Sequence, residues 1–418
     1  MDGSSVSLRS ILCLGLLVLS ISLLVVGGGC ASQPEVIVVT ATPAPTSTPV
    51  PPPSVTVCAS GCDFRSIQAA IDDELTVPES IITLGDEVHT EADIDVTKSV
   101  IIQGHGATST VVQASAAPEE STGRVFLIAE GASVTIRKLT IRHGNPDLEP
   151  SVFGIRRNGG AIANMGTLVV EDCIIRDNVA NGGAGIMNRG ELTVSNCLIT
   201  DNYADGVDAP GHGCGSGAAI RSVEGPTTVV NSTLSSNSGV GRGGALHIAC
   251  ASTAVMTNCT LSGNSAEYRG GAAHVRGSLE LVNCTVYGNT AGGRGRLDSI
   301  DLHPGGGIYV GGVFHSTNSI IAGSSGGADC SVSEDGQLGV MRGNLIEDGS
   351  CGAFLSGDPM LAELADNGGD THTHALMLGS PGIDVVGVEE CDLAVDQRGE
   401  PRPQGVGCDI GAFEVVQE

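Results

Sequence analysis

The sequence predicts an all-β fold, a single-stranded parallel β-helix of about ten coils whose open start is closed by a capping helix. Two observations predict it. The first is a phrase that keeps returning: Glu-Asp-Cys-Ile-Ile-Arg-Asp-Asn at 171–178, Ser-Asn-Cys-Leu-Ile-Thr-Asp-Asn at 195–202 and Val-Asn-Ser-Thr-Leu-Ser-Ser-Asn at 230–237, then Thr-Asn-Cys-Thr-Leu-Ser-Gly-Asn at 257–264 and Val-Asn-Cys-Thr-Val-Tyr-Gly-Asn at 282–289. Its markers Cys173, Cys197, Ser232, Cys259 and Cys284 stand 24, 35, 27 and 25 residues apart, the period of a stacked supersecondary unit. The second is a glycine-rich strand phrase ahead of it: Gly-Gly-Ala-Ile-Ala-Asn at 159–164, Gly-Ala-Gly-Ile-Met-Asn at 183–188, Gly-Gly-Ala-Leu-His-Ile at 243–248 and Gly-Gly-Ala-Ala-His-Val at 270–275. Gly306-Gly307-Ile308-Tyr309-Val310 continues that series.

Residues 1–29 read as an export leader. Arg9 precedes an apolar run from Ile11 to Val26, and Gly27-Gly28-Gly29 lead into Cys30. Small residues before a cysteine resemble a bacterial lipobox, which implies that Cys30 is lipidated and becomes the mature N-terminus. Residues 30–55 follow as a stalk: 33–54 hold seven prolines among Thr, Ser, Ala and Val, a composition that stays extended and buries no core. The expected location is therefore the cell envelope, outside the cytoplasm, with the membrane reached through the lipid.

The β-helix is expected over 56–330. Asp63 is placed to N-cap a helix presenting Phe64, Ile67, Ala70 and Ile71 to the open coil end. Strand-like segments at 81–84, 99–103, 110–113, 125–128 and 134–141 begin the winding. In the unit 190–202, Leu192 and Val194 alternate with polar residues, and Cys197 and Ile199 do so with the phase shifted by one. That shift reads as two short strands meeting at a bend near Ser195-Asn196, and the glycine-rich strand makes three per coil. The recurrent Asn178, Asn202, Asn237, Asn264 and Asn289 fit left-handed corners with stacked amides. The 35-residue steps place inserted loops at about 203–215 and 291–305.

Twelve cysteines lie beyond Cys30 and fall into two kinds. Cys58/Cys62, Cys330/Cys351 and Cys391/Cys408 are near neighbours in loop-like surroundings and read as disulfides, with Cys214/Cys250 a looser candidate. Cys173, Cys197, Cys259 and Cys284 share one repeat position with Ser232, which marks a small buried filler in place of thiol chemistry.

With the period in hand, several stretches resemble known groups. Cys-Asp-Phe-Arg-Ser-Ile-Gln-Ala-Ala-Ile-Asp at 62–72 resembles the entry segment of right-handed pectin-lyase-like β-helix proteins, a hand that parallel crossovers also favour. The Gly-Gly-Ala and Asn-Cys phrases resemble the repeats of polymorphic outer-membrane surface proteins. Within 331–418, Gly357-Asp358-Pro359-Met360-Leu361, Gly379-Ser380-Pro381-Gly382-Ile383-Asp384, Asp396-Gln397-Arg398-Gly399 and Cys408-Asp409-Ile410-Gly411-Ala412-Phe413-Glu414 are similar to the choice-of-anchor Q domain. These resemblances imply a surface-exposed β-helix protein.

The net charge of −27 disfavours nucleic acid and acidic polysaccharide and favours divalent cations. Asp366-Asn367-Gly368-Gly369-Asp370 is oxygen-rich and bent by glycine, so Asp366, Asn367 and Asp370 form a candidate Ca²⁺ loop beside the plainer reading of an Asx/Gly turn. His372 and His374 alternate and are expected on one solvated strand face. Aligning the glycine-rich strands gives one column directed away from the core, Ala163, Met187, Arg221, His247, His274 and Tyr309, with neighbours one coil apart. Arg221, His247, His274 and Tyr309 are its candidate binding residues, for an anionic group or a transition metal. Paired carboxylates suited to glycoside hydrolysis are not apparent on the strands, and aromatic platforms for sugars are scarce. The expected function is adhesion or interaction by a monomeric, lipid-anchored surface protein. A polysaccharide lyase or glycoside hydrolase of the same fold, and a purely structural envelope spacer, are the alternatives.

Overall fold

A computed structural model describes residues 52–121, 123–146, 157–206, 217–292 and 305–417, all within the compact unit Pro51–Glu418. Cys30, the leader and nearly all of the stalk lie outside the described residues, as do 207–216 and 293–304, where the two inserted loops were expected.

The described strands wind as stacked parallel rungs. A sheet of 18 strands takes two consecutive strands from most coils, which run together as single long strands at Ile220–Val230 and Leu246–Thr257; a sheet of ten takes one per coil, and a sheet of five takes a fourth strand. Ten strands in the second sheet correspond to ten coils, as expected. One coil runs Ile186–Asn188, Glu191–Ser195, Leu198–Thr200 and Tyr203–Ala204, so a coil holds four strands where three were expected. The fourth is only two residues long, too short to show a period of its own. The expected strand 134–141 is two strands, Ser133–Arg137 and Thr140–Arg142, divided where Lys138 turns left-handed at φ +58°.

Register carries like onto like. Ile175, Ile199, Leu234, Leu261, Val286, Ile321 and Ile346 stack in one inward column, every member fully buried. Each such side chain contributes roughly 1.5–3 kcal/mol by leaving water. The marker column lies beside it. Cys173, Cys197, Cys259 and Cys284 are buried free thiols whose sulfurs donate to the carbonyl two residues back, at 3.1, 3.1, 3.2 and 3.4 Å. Ser232 does the same through its hydroxyl at 2.7 Å, which explains the exchange of cysteine for serine.

The corners correct one expectation in detail. The buried asparagines do form a ladder: Asn178, Asn202, Asn237 and Asn264 each pass an Nδ2 hydrogen to the Oδ1 of the next, at 2.9–3.0 Å, ending on Asn289. The left-handed residue is the one before each, namely Asp177, Asp201, Ser236, Gly263 and Gly288 (φ +54° to +66°). A second left-handed corner precedes the marker column, at Asp172, Asn196, Asn231, Asn258 and Asn283. Asp and Asn fit both corners because their short side chains tolerate positive φ.

The cap exists, with a different cap residue. The helix is Ile67–Asp72 and buries Ile67, Ala70 and Ile71 against the first coil. Ser66 is the N-cap and accepts from Ala69 N at 3.1 Å. Asp63 is already taken, accepting from Thr56 N and Oγ1 at 2.8 Å each.

At the other end the coil runs beyond residue 330, through Cys330–Val332, Gln337–Arg342 and Leu345–Ile346. The chain then turns back along the outer face of the ten-stranded sheet. An antiparallel pair, Leu361–Ala365 with Thr373–Leu376, opens this module. Its Leu361, Leu376, Val386 and Ile410 pack on Ile320, Ala322 and Leu345 of the coils. Polar contacts tie the rest: Gln397 donates to Thr233 Oγ1 (2.9 Å) and accepts from Thr260 Oγ1 (2.7 Å), and Ala412 N donates to Thr285 Oγ1 (3.0 Å). The disulfides Cys58–Cys62, Cys330–Cys351 and Cys391–Cys408 form as expected. Cys250 is an exposed free thiol, and its suggested partner Cys214 lies outside the described residues.

Candidate functional site

The glycine-rich strands bring the expected column together in strict register. It runs Leu127, Ala163, Met187, Arg221, His247, His274 and Tyr309 over successive rungs. The His247 and His274 rings lie 5.0 Å apart, and His274 stacks on Tyr309 at 5.3 Å with planes within 5°. Arg269 completes the stack, its guanidinium 4.6 Å above the Tyr309 ring and donating to the Tyr309 hydroxyl at 2.9 Å.

The column is not a surface stripe. It points away from the coil interior yet is covered, with His247 fully buried, His274 at 2% and Arg221 and Tyr309 at 8% exposure. The cover is the backbone just ahead of each strand, where Asn158 bridges to Gly182 and Arg242 to Arg269 in a minor parallel ladder. The first glycine of the phrase makes this lid. Gly243 sits at φ +69°, and a Cβ there would stand 2.2 Å from Leu246 O. Only glycine lets the chain fold flat over the side-chain column. The phrase that reads as strand is therefore part lid, part strand.

Burial sets the electrostatics. The imidazole of His247 is pushed down to about 3, by burial first and then by the positive charges of Arg221, Arg242 and Arg276. His274 is held well below the usual histidine range by burial, then by His247 and Arg242, Arg269 and Arg276. Neither ring nitrogen of His247, nor Nδ1 of His274, has a hydrogen-bond partner among the described residues. Both rings are uncharged at neutral pH and act as stacking elements, and the positive charge of the site resides on the arginines. Among the described residues no group of three His, Cys, Asp or Glu side chains converges as a metal would need. The column residues thus hold lid to strand, while Arg242, Arg269 and Arg276 went unnoticed in the sequence. For Arg242 and Arg269 the signal was there, since each directly precedes a glycine pair, Gly243-Gly244 or Gly270-Gly271.

The other candidates separate. Asp366 Oδ1 accepts from Gly368 N at 3.1 Å, and Asn367 Nδ2 donates to Thr373 O and Oγ1, so these two residues form the Asx-type turn between the module's paired strands. Asp370 is exposed on that turn. His374 departs from the expected solvated face: it is buried between Ser262 Oγ and Ala362 O, edge-on to Tyr287, while His372 stays exposed. Ser262 and Tyr287 come from the coil face that the module covers, and Ala362 from the module's own paired strand.

The fold is a right-handed parallel β-helix. Residues 96–243 match a family described as "Right handed beta helix region". Similar solved structures include pectin methylesterase PemA from Erwinia chrysanthemi, at 14% identity over 68% of this chain and 92% of that one, with a TM-score of 0.35. Pectin methylesterase from carrot gives 14%, 71% and 90%, with a TM-score of 0.37. The PL6 family alginate lyase AlyGC gives 12%, 73% and 53%, with a TM-score of 0.25. No curated protein matches the chain by sequence.

Proposed function

We propose that this is an exported protein, held to a membrane by a lipid on Cys30, that presents a rigid acidic rod at the cell surface for adhesion or interaction. The observation that carries the reading is the set of three disulfides, at the first coil, the last coil and the C-terminal module. Such staples persist outside the reducing cytoplasm, in agreement with the leader and the lipobox-like cysteine. The seven prolines of 33–54 favour an extended segment that buries no core, and a net charge of −27 favours solubility and disfavours anionic surfaces. Among the described residues no helix is long and apolar enough to cross a membrane. The likeness of the repeats to polymorphic outer-membrane proteins, and of the module to choice-of-anchor Q domains, supports the same place of work.

The test is detergent-phase partitioning and fatty-acid labelling of the full chain in a bacterial host. The wild type incorporates labelled palmitate and enters the detergent phase, and Cys30→Ser does neither. Unchanged partitioning in Cys30→Ser would overturn the anchor.

A further inference from the structure

The five-stranded sheet carries a feature that neither the anchor nor the covered column uses. The inward residue of each of its two-residue strands is small, Ala180, Ala204, Gly239, Ala266 or Ala291. The outward residues stack in register as Val179, Tyr203, Ser238, Ser265 and Thr290. A groove of about 220 Å³ lies on this flank, with Tyr203, Ser238, Ser265, Glu267 and Thr290 among its lining. Tyr203 is 42% exposed, and Tyr268, next in the chain to Glu267, is 44% exposed. The scarce aromatics of the sequence thus include one tyrosine that opens directly onto a cavity.

The chemistry of this groove is selective. An exposed tyrosine face is an apolar platform with a polar edge. Hydroxyls at a spacing of one rung, about 4.8 Å, repeat donors and acceptors along the rod axis. Among the described residues Glu267 is the one charged group in the lining, and the chain as a whole is acidic, so an anionic ligand is disfavoured. An uncharged polyhydroxylated ligand meets both the platform and the hydroxyl ladder without that penalty. We propose that the groove binds a neutral glycan, its chain laid along the rod so that successive sugars meet Tyr203, Ser238 and Ser265. The site is independent of the lipid, and its failure leaves the anchor reading untouched.

Affinity electrophoresis of the full chain in detergent tests it, through native gels containing glucomannan, hydroxyethyl cellulose or polygalacturonate. The neutral glycans retard the wild type, and Tyr203→Ala weakens the interaction about tenfold, the loss of one stacking contact. Ser265→Phe, which fills the groove, abolishes retardation, with an unchanged thermal midpoint as the folding control. Glu267→Gln retains the neutral glycans. Absence of retardation by both neutral glycans, retardation that survives Tyr203→Ala and Ser265→Phe, or equal retardation by polygalacturonate would each overturn the proposal.

Discussion

The guanidinium of Arg402 meets the carboxylate of Glu414 at 3.0 Å, with both side chains sealed from solvent. Burial moves both groups toward their neutral forms, and their mutual attraction opposes it. Arg402 also donates to the carbonyls of Asp409 and Gly411, and Glu414 accepts from Asp409 N and Gln404 N. Removing one partner leaves a buried charge alone. Arg402→Met should therefore cost about 3–5 kcal/mol and expose the C-terminal module to limited proteolysis, whereas Arg402→Met with Glu414→Leu recovers most of that loss. Equal protease resistance in Arg402→Met and wild type would show that the pair does not hold the module.

Breaking the amide ladder at its middle should be nearly as harmful. Asn237 Oδ1 accepts from both N and Nδ2 of Asn202, and its own Nδ2 donates to Ile199 O, Ser235 O and Asn264 Oδ1. Asn237→Ala strands buried donors and acceptors on two rungs, a loss of about 2–4 kcal/mol in urea denaturation. A loss under 0.5 kcal/mol would mean that the rungs do not depend on the ladder.

Acid should loosen the lid over the histidine column. With the His247 ring lowered to about 3, the folded chain binds fewer protons than the unfolded one. The associated stability is complete above about pH 6.5 and is lost as pH falls from there toward 3. His274 and His374, also lowered by burial, add in the same sense, while Asp409 and Glu414, raised by burial, act against it. For His247 the effect is on the order of a few kcal/mol. His247→Phe should shrink the drop in urea midpoint between pH 7 and pH 4.5, and an undiminished drop rules out the buried ring as its source.

Thiol mapping should divide the cysteines sharply. Burial raises the thiols of Cys197 and Cys259 well above their ordinary value, and all four marker-column cysteines are shielded from solvent. A short alkylation pulse on the native protein, read by peptide mass spectrometry, should label exposed Cys250 and spare Cys173, Cys197, Cys259 and Cys284 until the chain unfolds. Rapid labelling of Cys197 or Cys259 in the native state contradicts the packing described.

Much of this was legible because a repeat writes its contacts at a fixed short spacing. Cys197 and Ser232 exposed the filler column by exchanging one small polar side chain for another, and the three disulfides joined near neighbours. The unread parts rest on contacts with no local trace. Gln397 reaches Thr233 across 164 residues, so its motif gave no hint of the sheet it fastens to. Asp63 and Ser66 are both good caps, and only the nearness of Thr56 decides between them. The covered column was misread because alternation says which side of a strand a residue takes, and says nothing of what lies beyond that side.

The footing of the C-terminal module on Thr233, Thr260 and Thr285 spans three consecutive rungs. A parallel stack can otherwise gain or lose whole rungs as interchangeable parts. Here the module acts as a gauge, since a rung inserted between Thr233 and Thr285 would carry Gln397 and Ala412 out of reach of their threonines together. A rung duplicated ahead of Asn178 leaves that footing intact. The stack is free to vary in length only on the N-terminal side of that footing.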